Sequence, residues 1–271
     1  SDLDIRRDNA IEHLMYKALF ETSADRAEFV SRLFARRRPG GLSPNATTEA
    51  LFSAFRDVDP DPVFYEENLD AVIDRLVNVH HFPLSDNDRT DVGRMMNAFL
   101  TAGPFSLKGF GDATNPPYAQ LLSAADLDGV NQSFLASERN FGVVKALQQK
   151  NLIVPVVGDF AGNKALAGIA RYLKDHGATV DAFYVSNVER YLFEQGEHGQ
   201  QFYANVTALP RTAASTFVRA VTSDISIRLG IPIPQSTAKW RTFLYNVNDC
   251  LAGVAAGRIK SYRELIVEGR K

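Results

Sequence analysis

The stretch Leu152-Ile153-Val154-Pro155-Val156-Val157-Gly158-Asp159-Phe160-Ala161-Gly162-Asn163 decides the fold class, together with Thr179-Val180-Asp181-Ala182-Phe183-Tyr184-Val185-Ser186-Asn187 downstream. The first begins as a continuous apolar run and stops at a glycine and an acid. Continuous rather than alternating hydrophobicity suits a strand buried on both faces of a parallel sheet. Pro155 fits that strand poorly, because it cannot donate to the ladder. Between the two stretches, residues 164–176 read as a helix, and Gly177 supplies its stop. Strand, helix, strand with short connections is a βαβ unit, whose right-handed crossover puts both strand C-termini on one sheet edge.

Downstream, residues 189–193 and 201–206 read as helical, 215–221 as a strand, and 240–256 and 262–268 as helices. Upstream the chain is helical. Ile11, Leu14, Met15, Ala18 and Leu19 recur at the spacing of one helix face. Ser23 can cap a second helix with Phe29, Leu33 and Phe34 on its apolar side, ending at Arg36-Arg37-Arg38-Pro39-Gly40-Gly41. The three arginines there suit a helix C-terminus. A third helix carries Leu51, Ala54, Phe55 and Val58, and a fourth Phe64, Leu69, Val72, Leu76 and Val79. A fifth begins at Ser85. The expected fold is therefore α/β: a Rossmann-like, open, mostly parallel sheet in one domain over residues 1–271, with a large helical insertion at about 22–104.

The 271 residues carry 30 basic and 32 acidic side chains, a formal charge of -2. That balance predicts no large nucleic-acid footprint. Cys250 is the single cysteine, so the sequence offers no internal disulfide and no cysteine-based metal cluster; it reads as a small buried side chain. No stretch approaches the roughly 20 apolar residues of a membrane span. The first residues show no signal-peptide core, so the expected location is cytoplasmic. Gly109-Phe110-Gly111-Asp112 sits before Pro116-Pro117 rather than between a strand and a helix, which argues against a phosphate loop. His80-His81 ends a helix, and adjacent histidines about 100° apart chelate one ion poorly. Ser137-Glu138 reads as a helix cap rather than a nucleophile. No metal site is expected.

Ligands of open α/β sheets bind beyond the carboxyl ends of the strands. Asp159 follows one strand; Ser186, Asn187 and Glu189 follow the next, with Tyr191 one helical turn beyond Asn187. A carboxylate at such an edge can orient a hydroxyl or amine, and an amide both donates and accepts. Each could instead cap a helix. At the start, Leu3-Asp4-Ile5 reads as the tail of a strand ending in an acid, the arrangement that nucleotide-binding folds use for ribose hydroxyls. Such a strand is normally second, after a glycine-rich strand–loop–helix.

Asp4-Ile5-Arg6-Arg7-Asp8-Asn9, Ser133-Phe134-Leu135-Ala136-Ser137-Glu138, Val156-Val157-Gly158-Asp159-Phe160 and Tyr184-Val185-Ser186-Asn187-Val188-Glu189-Arg190-Tyr191-Leu192-Phe193 together resemble a largely uncharacterised bacterial family, itself similar to class I S-adenosylmethionine-dependent methyltransferases. The resemblance implies an S-adenosylmethionine cofactor, with Asp4 at its ribose and Arg6, Gly158 and Asp159 beside it. From their places at the strand ends, Asp159 and Asn187 are the expected catalytic residues, positioning the acceptor, and Ser186, Asn187 and Tyr191 the expected substrate-binding ones. The methyl acceptor, a small molecule or a polypeptide, is not given. Longer members of that family carry the glycine-rich segment before the Asp-Ile-Arg-Arg stretch, and these 271 residues do not. Two alternatives stay open: a non-catalytic binding module on the same fold, and an NAD-binding oxidoreductase. Methyl transfer is an in-line displacement in which the protein mostly supplies proximity and alignment.

Overall fold

A computed structural model describes residues 1–106, 116–228, 230 and 240–268. The glycine-containing segment 109–112 lies outside them. The chain forms two compact units: Ser1–Asp2 with Arg6–Pro155, and Leu3–Ile5 with Val156–Lys271.

The first unit is helical: α1 (Arg7–Thr22), α2 (Arg26–Leu33), α3 (Thr48–Ala54), α4 (Pro62–Asp74), α5 (Asp86–Ala102), α6 (Tyr118–Ser123) and α7 (Glu138–Gln149). The apolar stripe of α1 is buried as its spacing demands, with Ile11, Leu14, Met15, Ala18 and Leu19 in the core. Aromatic rings fill the centre: Phe20 lies 4.6 Å from Phe29 and 5.2 Å from Phe141, and Phe134 meets Phe29 at 5.6 Å. Ser85 and Asp88 form a reciprocal capping box at the start of α5. Asp88 also takes two bonds from Arg7, at 2.7 and 2.8 Å. Ser137 caps α7, as its position in the sequence suggests. Buried Arg26 reaches Glu138 at 3.0 Å and the carbonyls of Leu135, Ala136 and Pro44, which ties the Ser133–Glu138 segment to α2.

Several local expectations are corrected here. Asp25, not Ser23, caps α2; the Ser23 hydroxyl instead donates to Leu19 O at 2.6 Å and closes α1. Arg37 and Arg38 do not complement a helix C-terminus: they bond Asp61 and Asp25, the N-caps of α4 and α2, each at 2.7 Å. After α4 the helix widens into a π turn, Arg75–Val79. That turn places Arg75 and His80 on Glu21, at 2.7 and 2.6 Å, and Lys17 completes the cluster at 2.6 Å. His80 is thus a partner of a buried carboxylate rather than a surface helix end. Burial opposes ionisation of Glu21, but the bonds from Lys17, His80 and Arg75 outweigh it and hold its pKa below the usual glutamate value.

The second unit is mixed α/β. Its elements are β2 (Pro155–Val157), α8 (Ala165–Asp175), β3 (Val180–Ser186), α9 (Val188–Glu194), α10 (His198–Thr207), β4 (Arg211–Thr222), α11 (Ser223–Arg228), β5 (Trp240–Asn246), α12 (Val247–Ala255) and α13 (Tyr262–Glu268), with β1 (Asp2–Asp4) paired to β2. The β1–β2 bonds advance together along both strands, from Asp2 N to Val154 O and from Gly158 N to Asp4 O, so that pair is parallel. The second sheet has the order β3-β4-β5, parallel between β3 and β4 and antiparallel between β4 and β5.

The βαβ unit is not the one expected. β2 and β3 lie in different sheets, and the parallel partner of β3 is β4, reached through α9 and α10. The apolar run at 152–157 contributes only three strand residues, and it is not buried on both faces: Leu152 is 59% and Val157 45% exposed. Residues 240–246, expected as helix, are strand β5; α12 starts only at Val247, capped by Asn246. Trp240–Asn246 pairs along its whole length with β4, and that ladder overrides local helix preference. On β4, Ser215, Phe217, Arg219 and Val221 alternate inward and are buried, joining Phe202, Tyr203, Tyr245 and Leu265 in the core. On the opposite face Tyr184 is 64% and Leu244 69% exposed, on either side of Val218. Among the described residues the structure is therefore mixed α/β with two small sheets, not one large open sheet.

Candidate functional site at the strand ends

The sequence-selected residues fall into two groups in the second unit. Asp4 ends β1, and its carbonyl accepts from Gly158 N at 2.9 Å. Gly158 sits where a side chain has no room: a Cβ there would lie 2.5 Å from the Ala165 Cβ. The strand end therefore approaches the start of α8 more closely than any other residue would allow. Asp159 is half-buried, and its Oδ1 accepts from Ala161 N at 2.9 Å, a local turn rather than a cap on α8. Sequence reasoning missed Asn205 on α10. Its amide donates to Phe160 O at 3.0 Å and Gly162 O at 2.8 Å, clamping the loop that carries Asp159. Arg6 precedes α1 and belongs to the first unit.

Ser186, Asn187 and Tyr191 form the second group, at the C-terminal end of β3. Ser186 adopts φ +47°, a left-handed conformation that non-glycine residues seldom take. This kink turns the chain from β3 into α9 within two residues. Asn187 occupies the N-cap position of α9, yet its side chain makes no capping bond. Tyr191 is exposed, and the Arg190 guanidinium stacks 4.3 Å above its ring.

Beneath this turn lies a cluster whose members the sequence does not single out as one group. Arg219, fully buried, bonds Glu189 through Nε at 2.6 Å and Nη2 at 3.0 Å. Its Nη2 also reaches the Tyr203 hydroxyl at 3.0 Å, and Cys250 Sγ lies 3.6 Å away. Tyr203 in turn donates to Glu189. The guanidinium is stacked 4.5 Å from both the Phe217 and the Tyr245 rings. Burial works against a charged Arg219, but Glu189 outweighs it and raises its pKa. Burial raises the Cys250 thiol, so Cys250 is an inert core residue, in keeping with its sequence context. Burial also pushes the Tyr262 hydroxyl up to about 12. Glu189 was visible in the sequence only as a residue near a strand end; Arg219, inside an apolar strand, gave the one signal that could have found the pair, a charge at a core position.

Among the described residues, no group of three or more His, Cys, Asp or Glu side chains could hold a metal ion. No helix there is long and apolar enough to cross a membrane.

The geometry defines a class: a mixed α/β protein whose polar side chains gather at the carboxyl ends of parallel strands. Residues 113–267 match the family model described as Domain of unknown function (DUF7790). The match spans more than half of the 271 residues, and the chain belongs to this family. No curated protein matches.

Proposed function

We propose that the second unit is the greater part of a Rossmann-like nucleotide-binding fold, and that the protein binds S-adenosylmethionine and transfers its methyl group to an acceptor. One observation carries the reading, the strand order. A doubly wound sheet runs 3-2-1-4-5-6. The two sheets here, β2-β1 and β3-β4-β5, have the order of its 3-2 and 4-5-6 portions. The antiparallel edge strand β5 is common on such sheets. A single parallel strand between β1 and β3 would join them. That strand is the one that carries the glycine-rich phosphate loop.

The remaining roles follow from that order. Asp4 ends the second strand of the series, where an acid holds ribose hydroxyls. Gly158 lets the next strand end approach α8, and Asp159 stands at the same strand end. Ser186 and Asn187 end the fourth strand, beside the position of the transferred group. Asn187, with no capping bond to make, is suited to align an acceptor; Asp159 is suited to accept its proton. Tyr191 would flank the acceptor. Arg6 lies two residues beyond the strand that holds Asp4, in the first unit.

The test is native mass spectrometry of the full-length protein with S-adenosylhomocysteine and, separately, NAD. An S-adenosylhomocysteine adduct that Asp4→Ala removes supports the reading. An NAD adduct alone favours the oxidoreductase alternative, and no adduct with either ligand sinks both enzyme readings in favour of a binding module.

A further inference from the structure

The C-terminal edge of β3 and β4 carries more guanidinium than carboxylate. Arg219 is in register with Ser186 at the end of β3. Arg241 pairs with Val221 across the β4–β5 ladder, two residues from the Arg219–Phe243 pair. Side chains two apart on a strand share a face, so Arg241 lies on the face of Arg219 and diagonal to it, about 7–8 Å away between Cα atoms. Arg190 follows Glu189 on α9, and both act with Arg219 on the electrostatics of the Tyr262 hydroxyl. Glu189 is wholly engaged by Arg219 and Tyr203. Among the described residues, neither Arg190 nor Arg241 forms an ion pair.

The donors tell the same story. Arg219 Nη1, Arg241 Nε, Arg241 Nη2 and Arg190 Nε are all enclosed and lack a hydrogen-bond acceptor among the described residues. Arginine offers five donors and no acceptor and cannot shed its charge, so its enclosed N–H groups call for an oxygen ligand. Glu189 is taken up by Arg219, so Arg190 and Arg241 bring further positive charge to the edge where open α/β sheets bind ligands.

We infer that Arg219 and Arg241, with Arg190 flanking them, form a binding site for an oxyanion, the carboxylate or phosphate group of a small molecule. Arg219 supplies a fixed buried charge, stacked against two rings and held by Glu189. Arg241, half-buried, supplies the planar fork that an oxyanion can meet with two bonds. The site stands without methyl transfer. If the proposed function holds, it is the anchor for an acidic acceptor.

The experiment is thermal unfolding of the protein with inorganic phosphate or acetate, against chloride at matched ionic strength, for the native chain and for Arg241→Gln and Arg190→Gln. Both variants leave the Glu189–Arg219 pair in place, and circular dichroism checks that they fold. Millimolar anion should raise the native midpoint by about 2–4 °C, the size of shift that a ligand present at a few times its Kd produces. The shift should vanish in Arg241→Gln and shrink in Arg190→Gln. A response to phosphate alone identifies a phosphorylated ligand, and one to acetate alone a carboxylate. An equal shift in Arg241→Gln, or no shift with either anion, overturns the site. S-adenosylhomocysteine is absent from this titration, so its failure and that of the proposed function are separable.

Discussion

Arg219 on β4 and Glu189 on α9 meet in a fully buried, two-pronged ion pair, with Nε–Oε2 2.6 Å and Nη2–Oε1 3.0 Å. It fastens the helix after the Ser186 turn to the neighbouring strand. A buried pair is costly to break from one side, because the surviving charge has no water to turn to.

Glu189→Gln should therefore destabilise the protein by about 3–5 kcal/mol. The double variant Glu189→Gln with Arg219→Met should recover part of that loss, since no charge is stranded. Urea unfolding of the four proteins in the cycle measures the coupling. Strictly additive losses would show that the two side chains do not act as a pair.

Gly158 is tested by one methyl group. Gly158→Ala brings a Cβ to 2.5 Å from that of Ala165 and should cost about 1–3 kcal/mol through forced backbone movement. Gly168→Ala in the same helix meets open space and should stabilise by about 0.5–1 kcal/mol. Denaturation midpoints of opposite sign are the expected outcome, and matching signs would disprove the close approach.

Asp88 provides a pH signature. The hydrogen bond from Arg7 heads the causes that hold its carboxyl well below the usual range, aided by Ser85. A carboxyl whose folded pKa is depressed contributes stability above its unfolded pKa, about 4, and loses it as pH falls toward the folded value. Asp88→Asn should cost about 1–2 kcal/mol at pH 7, from the capping box and the Arg7 pair. The gap between native and variant should narrow steadily below about pH 4. A gap independent of pH from 7 to 2 would contradict the ionic origin.

Asn205 and Asp159 separate support from chemistry. Asn205→Ala removes both bonds to the 160–162 carbonyls and should cost about 1–3 kcal/mol. Asp159→Asn keeps an oxygen for Ala161 N and should change stability by less than about 0.5 kcal/mol. Calorimetry with S-adenosylhomocysteine then reads the second variant alone. Weakened binding without a stability change assigns Asp159 to the site, whereas unchanged binding removes it.

The sequence by itself determined most of the helices, though not α6 or α11, because apolar residues at helical spacing and Ser85 and Ser137 at cap positions are local signals. It also marked Asp4, Asp159, Ser186 and Asn187, since small polar residues after apolar runs stand out without any partner being known. Only the tertiary structure decided which strands pair. The same apolar runs suited a β2–β3 pairing, but hydrogen bonding between distant segments joined β3 to β4 and drew 240–246 out of a helical reading into β5. Only the fold, too, brought Glu189, Tyr203, Arg219 and Cys250 into one cluster from well-separated places in the chain. A charge buried in a strand has its reason in the residue it meets, and that residue is chosen by long-range packing rather than by its neighbours in the chain.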